Sequence, residues 1–506
     1  MSVVPTASHK GRHCVLVAIC LAALALPFSF TGGAVATPAI GKALAANPAW
    51  LGWITNAFML SFGSLLMVAG SLADIYGRRR LFVYGLAALA LTSLSLAMAS
   101  SIAWLVALRA LQGVAGAATL ASGSAALAQV FTGQARARAF SLLGSTFGLG
   151  LAFGPLIGAL LLEHGGWRAV FAIPAVLAAV SLLGAWFWMH ESRDEEARRI
   201  DLPGAASFTL MLVLLTLAIM LGPQSGWTAP WICSLLVGAA SCLVAFVLIE
   251  LYAEQPMLDL TLFKYPRFLG VQLLPVGTCY CYIVLIVLLA YRLNGVEGLA
   301  PLHSGLIMLA LSAPMLIVPL LAAWLTRWVS AGALCAAGFL LAAAGLFLLA
   351  HVDAGARPSL LVAMLMVGVG TAFPWGLMDG LALGTAPPER AGRAAGIFNT
   401  TRVAGEGVAL ATTLALLTAL VTDALEPWVP AQRRSEIAQR LIVGDLDSGI
   451  DPCLLRAAYL QGFDSLLLVL CGITVLIALL TFLLLGHKRA NASVDPIDPP
   501  ARVSKA

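Results

Sequence analysis

Gly70-Ser71-Leu72-Ala73-Asp74-Ile75-Tyr76-Gly77-Arg78-Arg79-Arg80 separates two long apolar runs, 51–69 and 81–97. A short, strongly charged stretch between two runs of membrane-spanning length reads as a hairpin between membrane helices. A glycine at each end, Gly70 and Gly77, allows a tight turn, and three arginines hold that turn on the cytoplasmic side. Asp74, just ahead of the arginines, is placed to pair with a cation and brace a helix end.

Composition agrees with a lipid-solvated chain. Of 506 residues, 60% are hydrophobic and only 10% charged, against roughly 25% charged in a soluble globular domain; the mean hydropathy is +0.95. A net charge of +5 is too small to point to nucleic acid and is accounted for by basic residues in cytoplasmic loops. The nine cysteines are scattered, mostly inside apolar runs, and form neither a disulfide framework nor a metal site. Cys279-Tyr280-Cys281-Tyr282 has no His or Asp beside it; it reads as helix packing, with aromatic lining of a cavity as the alternative.

Fourteen apolar runs are long enough to span, at 14–34, 51–71, 81–99, 104–126, 140–162, 169–189, 206–223, 230–250, 269–290, 305–324, 331–350, 359–383, 394–420 and 464–486, since about 20 residues cross the ~30 Å hydrocarbon core. Lipid tolerates no unpaired backbone, so the runs are predicted to be helices. The first follows Lys10 and Arg12 much as a signal peptide would, but it is long and another span follows it, so it is read as retained. An even count puts both termini on one side. From a cytoplasmic start the inner loops hold 13 Arg and Lys, among them Arg136, Arg138, Arg198 and Arg199, whereas the short outer loops hold only Lys42, Arg168, Arg292 and Arg357. That asymmetry obeys the positive-inside rule and supports both the count and the direction, with both termini cytoplasmic; the membrane is expected to be the inner (plasma) membrane.

The two ends of the chain repeat each other. A shift of 255 lays Gly113-Val114-Ala115-Gly116-Ala117-Ala118 over Gly368-Val369-Gly370-Thr371-Ala372-Phe373, Arg138-Ala139 over Arg393-Ala394, and Gly150 over Gly405. Small residues in register between halves mark an internally duplicated bundle. The predicted organisation is therefore an N-terminal tail (1–13), a six-helix bundle (14–190), a linker with an inserted pair, spans seven and eight (191–268), and a second six-helix bundle (269–486). Within the last, 421–462 reads as a small external helical element. A disordered cytoplasmic tail (487–506), rich in proline, ends the chain.

Two further signatures lie in spans four and five. Arg109 with Gln112-Gly113 forms Arg-x-x-Gln-Gly. An arginine inside a membrane helix is costly and must face a cavity or a partner, unless it snorkels to the outer headgroups. Gly150, Gly154-Pro155 and Gly158 form Gly-x-x-x-Gly-Pro-x-x-Gly, in which small residues at four-residue spacing let another helix approach and the proline permits a bend. The charged hairpin, the span-four arginine and the span-five glycines together closely resemble the major facilitator superfamily of alternating-access transporters. The span-five pattern resembles the signature of its exporters, with Ala159 where a closing glycine is usual. Gly166-Trp167-Arg168, Asp201 with Gly204, Glu254-x-Pro256, Leu258-Asp259-Leu260 and Pro387-Pro388-Glu389-Arg390 narrow the resemblance to the 14-helix drug:proton antiporter branch.

That resemblance implies an all-α membrane protein of the major facilitator fold, two six-helix bundles plus an inserted pair, working by alternating access. The hairpin residues Gly70, Asp74, Gly77, Arg78 and Arg79 and the span-five residues Gly150, Gly154, Pro155 and Gly158 would be its conformational motifs. Spans 1, 4, 9 and 12 would line a central cavity, with Gln272, Tyr280, Tyr282, Phe373 and Trp375 as candidate substrate contacts. One departure bears on mechanism. The branch carries an acid and an asparagine in span one before a turn, here Ala36-Thr37-Pro38-Ala39-Ile40; counting back places Ser29 and Ala34 at those positions. Serine does not cycle a proton, so coupling must lie elsewhere.

Arg109, Gln112, Arg402, Glu406 and Asp379 are the coupling candidates. Arg402 and Glu406 are one helical turn apart in span thirteen, either a structural ion pair or an arginine that alternates with a proton for the carboxylate. Asp379, near the inner end of span twelve, reads as a wet carboxylate. The sparse fixed charge favours large apolar or cationic-amphipathic cargo. Export of small amphipathic compounds, drugs or metabolites, in exchange for protons is the function expected. A dedicated exporter of one metabolite such as a siderophore, or less readily a membrane enzyme, are the alternatives. No phosphate-binding loop occurs and no cofactor or metal is expected. The expected partners are substrate, protons, lipid and a candidate periplasmic adaptor, with no nucleic acid.

Overall fold

A computed structural model of the chain describes residues 9–131, 133–193, 201–253, 258, 260–352, 357–384, 391–446 and 449–486. The elements are α1 (His9–Ala43), α2 (Pro48–Tyr76), α3 (Arg78–Ala97), α4 (Ile102–Val130), α5 (Gly133–Ala169), α6 (Ala172–Trp188), α7 (Leu202–Ser225) and α8 (Pro230–Tyr252). There follow α9 (Pro266–Val296) and α10 (Pro301–Leu325), then α11 (Ala331–Leu349), α12 (Arg357–Gly384), α13 (Ala391–Ala424), α14 (Ala431–Ile442) and α15 (Pro452–Leu485). Thirteen of these are at least 18 residues long and apolar; α6, at 17 residues, is the remaining membrane helix and sits at the short end of the spanning range.

Helices α1–α6 pack together, as do α9–α13 with α15, and α7–α8 pair with each other. The inserted pair is attached through α7, which lies against α2 and α13. The bundles meet where α2 crosses α13, where α5 runs beside α10 and α12, and where α1 touches α9. Burial follows from this layout: 83% of the apolar window of α9 is enclosed but only 17% of that of α8, so α9 is core and α8 faces lipid. The repeat is visible in the helix limits, because the shift of 255 lays the first residue of α4, Ile102, on the first residue of α12, Arg357.

Several expected boundaries are corrected. The hairpin turn is narrower than the two glycines suggested: α2 continues to Tyr76 and α3 begins at Arg78, so Gly77 alone makes the turn and Gly70 lies inside α2. Gly77 has φ 112°, which a residue with a Cβ rarely adopts. The expected turn at 36–40 is helical, α1 running through Pro27 and Pro38 to Ala43. Thr31 and Thr37 return hydrogen bonds to the carbonyls of Pro27 and Gly33, at 2.8 Å each. Arg292 is not a loop residue. It is 5% exposed, in the π-helical turn Arg292–Val296 that ends α9, and pairs with Glu297 at 2.8 Å.

The external element is shorter than 421–462. α13 runs on to Ala424, and α15 starts at Pro452 with the Asp451 carboxylate accepting from the Cys453 amide. Only α14 stands apart, burying Ile437, Ala438, Leu441 and Ile442. Arg198, Arg199, Glu254, Pro256, Asp259, the 387–390 motif and the tail 487–506 lie outside the described residues.

Candidate functional site

At the hairpin between α2 and α3, Asp74 accepts from Arg78 at 2.8 and 3.1 Å across the Gly77 turn. Its partner here is its own hairpin. The neighbour that matters most was not singled out from sequence: Glu191, just after α6, accepts from the backbone amides of Arg79 (3.1 Å) and Arg80 (3.2 Å) at the start of α3. An anion at a helix N-terminus satisfies unpaired N–H groups and meets the positive end of the helix dipole. A Cβ on Gly77 would stand 2.5 Å from Glu191 Oε1, so the glycine is needed for this approach as well as for its φ. Arg79 Nη2 donates to the Trp186 carbonyl at 2.9 Å. Glu191 carried no sequence signal because its function depends on α6 ending beside α3.

In the first bundle, α4 lies close on α2: a Cβ on Gly113 would collide with Ser61 and the Phe58 carbonyl, and Ser61 Oγ donates to the Ala110 carbonyl at 2.7 Å. The contact carries Arg109 into the bundle. Its side chain is fully enclosed, which contradicts the snorkelling alternative. Nε donates to the Ile54 carbonyl (2.7 Å), Nη1 to the Ser29 carbonyl (3.0 Å) and to Gln112 Oε1 (2.6 Å), and the guanidinium lies 4.6 Å from the Phe58 ring centroid. Gln112 Nε2 in turn donates to Ser93 Oγ (2.8 Å) and Ser29 Oγ (3.4 Å). Ser29, at the position of the missing acid, therefore does sit beside Arg109, but offers it only a carbonyl.

The second constellation lies between the bundles. Arg402 of α13 is 4% exposed, with Nη1 3.7 Å from Asp379 Oδ1 of α12 and Nε 3.8 Å from Glu406 Oε1. Its guanidinium is 4.3 Å from the centroid of Phe147 on α5 and 5.1 Å from that of Trp375 on α12. Trp375 stacks on Phe147 at 6.4 Å and meets Tyr282 of α9 at 6.4 Å. Gly144 of α5 leaves room for Asp379, and Gly148 sets its α-carbon beside Trp375 Nε1. Asp379 is thus no ordinary wet carboxylate. Its side chain is 21% exposed and shares Arg402 with Glu406, which is 2% exposed. Two acids thus share one cation at the bundle interface.

The glycines of α5 serve α1. A Cβ on Gly150 would stand 2.9 Å from Pro27 Cβ, one on Gly154 would collide with Thr31, and one on Gly158 would lie 3.4 Å from Gly32 Cα. Pro155 lies within α5, but the non-helical residue of that helix is Gly166 (φ 71°), so the break falls after the motif and not at the proline. On the next faces Ala159 and Leu156 meet Gly305 of α10 across the bundle interface.

Among the cavity candidates, Gln272 is 7% exposed with neither amide atom hydrogen-bonded, and the buried Tyr282 hydroxyl and Trp375 Nε1 likewise lack a partner. Tyr280 reaches Thr412 of α13 at 3.2 Å. Phe373 is the exception: its Cβ lies against Gly338 of α11, on the side of α12 turned from Trp375, since residues two apart on a helix do not share a face. The segment Cys279–Ile283 forms a π-helical turn, with Cys279 Sγ 3.8 Å from the Arg402 carbonyl. Such turns re-aim side chains within a helix and recur at functional sites. Among the described residues no group of three or more His, Cys, Asp or Glu could hold a metal.

Residues 17–410 match the family model described as Major Facilitator Superfamily. The chain is 31% identical over 395 residues to multidrug resistance protein Stp of Mycobacterium tuberculosis, covering 78% of this chain and 73% of Stp. It is 30% identical over 499 residues to puromycin resistance protein pur8 of Streptomyces alboniger, covering 96% and 94%. To cephamycin export protein CmcT of Amycolatopsis lactamdurans it is 32% identical over 438 residues, covering 82% and 88%. A bacterial homologue of the human lysosomal transporter Spinster, solved inward-facing and unoccupied, superposes with a TM-score of 0.64 at 15% identity over 94% of this chain and 97% of that one.

Proposed function

Because this chain belongs to the major facilitator superfamily, we propose that it exports small amphipathic organic compounds, drugs or metabolites, across the inner membrane in exchange for protons. The relatives whose names concern multidrug resistance, puromycin resistance and cephamycin export support the direction and the cargo class. The observation that carries the proton step is Arg402 held between Asp379 and Glu406 at 3.7 and 3.8 Å, at the contact of the two bundles. Any rocking of one bundle against the other moves Phe147 and Gly144 relative to Arg402 and Asp379, and so changes which carboxylate the cation neutralises. A carboxylate released from the cation inside the protein takes up a proton, and one rejoined to it gives the proton up. Glu406 is the carrier and Asp379 its competitor for Arg402.

In this reading the bundles comprise 14–190 and 269–486, 191–268 is the linker with its inserted pair, and both termini are cytoplasmic. The hairpin braced by Asp74, Arg78 and Glu191 holds one of the alternating states, and a periplasmic adaptor is a candidate partner. Ser29 in place of the span-one acid favours the second reading, a dedicated exporter of one natural product. The test is transport in proteoliposomes under an imposed pH gradient. Glu406→Gln should bind a wild-type substrate normally but export it with no dependence on the gradient. Unchanged pH dependence would reduce Glu406 to a structural partner of Arg402.

A further inference from the structure

Arg109 is a buried cation without an anion. No carboxylate oxygen of the described residues comes within salt-bridge distance of it. Three of its five N–H groups are spent on the Ile54 and Ser29 carbonyls and Gln112, whereas Nη2 has no acceptor. Gly33 faces that nitrogen, and a Cβ there would stand 2.9 Å from it. Nearby lies a group of hydroxyls from three helices. Tyr291 of α9 lies beside Thr37 of α1 and Thr55 of α2, and neither the Tyr291 nor the Thr55 hydroxyl completes a hydrogen bond although both residues are fully enclosed. The guanidinium thus keeps free N–H groups near hydroxyls that can donate as well as accept, with no carboxylate of the described residues among them. Two carbonyls, an amide oxygen and the Phe58 ring offset the burial of this charge only in part, because none of them is an anion.

We propose that Arg109, with the hydroxyls of Thr55 and Tyr291, receives an anionic oxygen of the transported compound, a carboxylate or ionised phenol, so that the cargo supplies the counter-ion that Ser29 does not. Tyr291 belongs to the opposite bundle, so the site opens and closes as α9 parts from α1. The inference rests on the export reading only for the word "transported"; binding at Arg109 stands or falls without it. It adds an acidic group to the amphipathic cargo expected from the sparse fixed charge, because the Arg109 cluster holds no acid of its own among the described residues.

The test uses the purified full-length chain in detergent and a panel of amphipathic dansyl-amino acids, each paired with its methyl ester, read by dansyl fluorescence. At least one acid should bind about ten-fold tighter than its ester, roughly the worth of one charge-assisted contact. That preference should vanish in Ser29→Asp, which places a carboxylate beside Arg109, and in Arg109→Gln. Arg109→Lys should retain part of it. Equal binding of acids and esters throughout the panel overturns the proposal, as does a preference that survives Ser29→Asp. If chloride in place of gluconate occupies the Arg109 site and no acid outbinds its ester, the site takes an inorganic ion and the proposal also fails. Proteoliposome transport separates the two readings: esters that move while acids do not leave export standing and sink this inference. Acids preferred in detergent with no transport of either class would do the reverse.

Discussion

Arg109 and Arg402 are both arginines buried inside membrane helices, and the protein handles the two charges in opposite ways. Around Arg109 every partner is neutral and the contacts are short, 2.6–3.0 Å, to two carbonyls and an amide. Around Arg402 two acids stand back at 3.7 and 3.8 Å, and two aromatic faces complete the shell. The repeat shows that neither arrangement is inherited from the other: under the shift of 255, Arg109 corresponds to Met364 and Arg402 to Phe147. Phe147 is also the ring that Arg402 covers, so this pair of repeat mates meets at the bundle interface. Short bonds to backbone carbonyls within one bundle fix a geometry. The longer ion pairs of Arg402 also lie within one bundle, but they are packed against Phe147 of the other, so they can be remade when the bundles move, which is what a coupling site requires.

The largest expected effect is that of Arg402→Met. It leaves Asp379 and Glu406 without the cation they share, which should cost about 3–5 kcal/mol and abolish export. Thermal unfolding in detergent measures the first and proteoliposome transport the second. Adding Glu406→Gln and Asp379→Asn to Arg402→Met should recover most of the stability and none of the pH dependence. Arg109→Met installs the repeat counterpart and orphans only Gln112 Oε1, so the loss should be about 1–3 kcal/mol. The comparison breaks if Arg109→Met destabilises more than Arg402→Met.

Smaller still is the expected difference between the two acids. Glu406→Gln should remove the pH dependence of export, whereas Asp379→Asn, at the wetter position, should shift that dependence without removing it. Transport followed across imposed pH gradients distinguishes them, and a larger loss for Asp379→Asn would exchange their roles. The smallest effect belongs to the hairpin. Glu191→Gln keeps one of the two acceptor oxygens at the start of α3 and removes the charge, and the loss of charge should cost about 0.3–1 kcal/mol, screened by salt. A melting curve that does not respond to ionic strength would count against the helix-dipole account of Glu191.

Much of this was legible in the chain. Apolar run length marked the membrane helices, since lipid leaves the backbone no alternative to internal hydrogen bonding, and the charged stretch between two of them marked the hairpin. Arg109, Arg402 and Glu406 stood out because a charge within an apolar run needs a reason wherever the helix sits. What the sequence could not supply was the identity of the partners that come from other helices. Glu191 lies 112 residues from the amide it caps at Arg79, and Asp379, Phe147 and Trp375 reach Arg402 from two other helices. The same limit misplaced Phe373 and the break in α5, because the face a helix turns to its neighbour is set by the neighbour's shape. Composition and periodicity thus determined that the protein is a duplicated helical membrane bundle with a few deliberate charges. Tertiary packing alone decided that one of those charges has no acid and the other has two, because charge compensation acts through space over a few ångströms and is indifferent to distance along the chain.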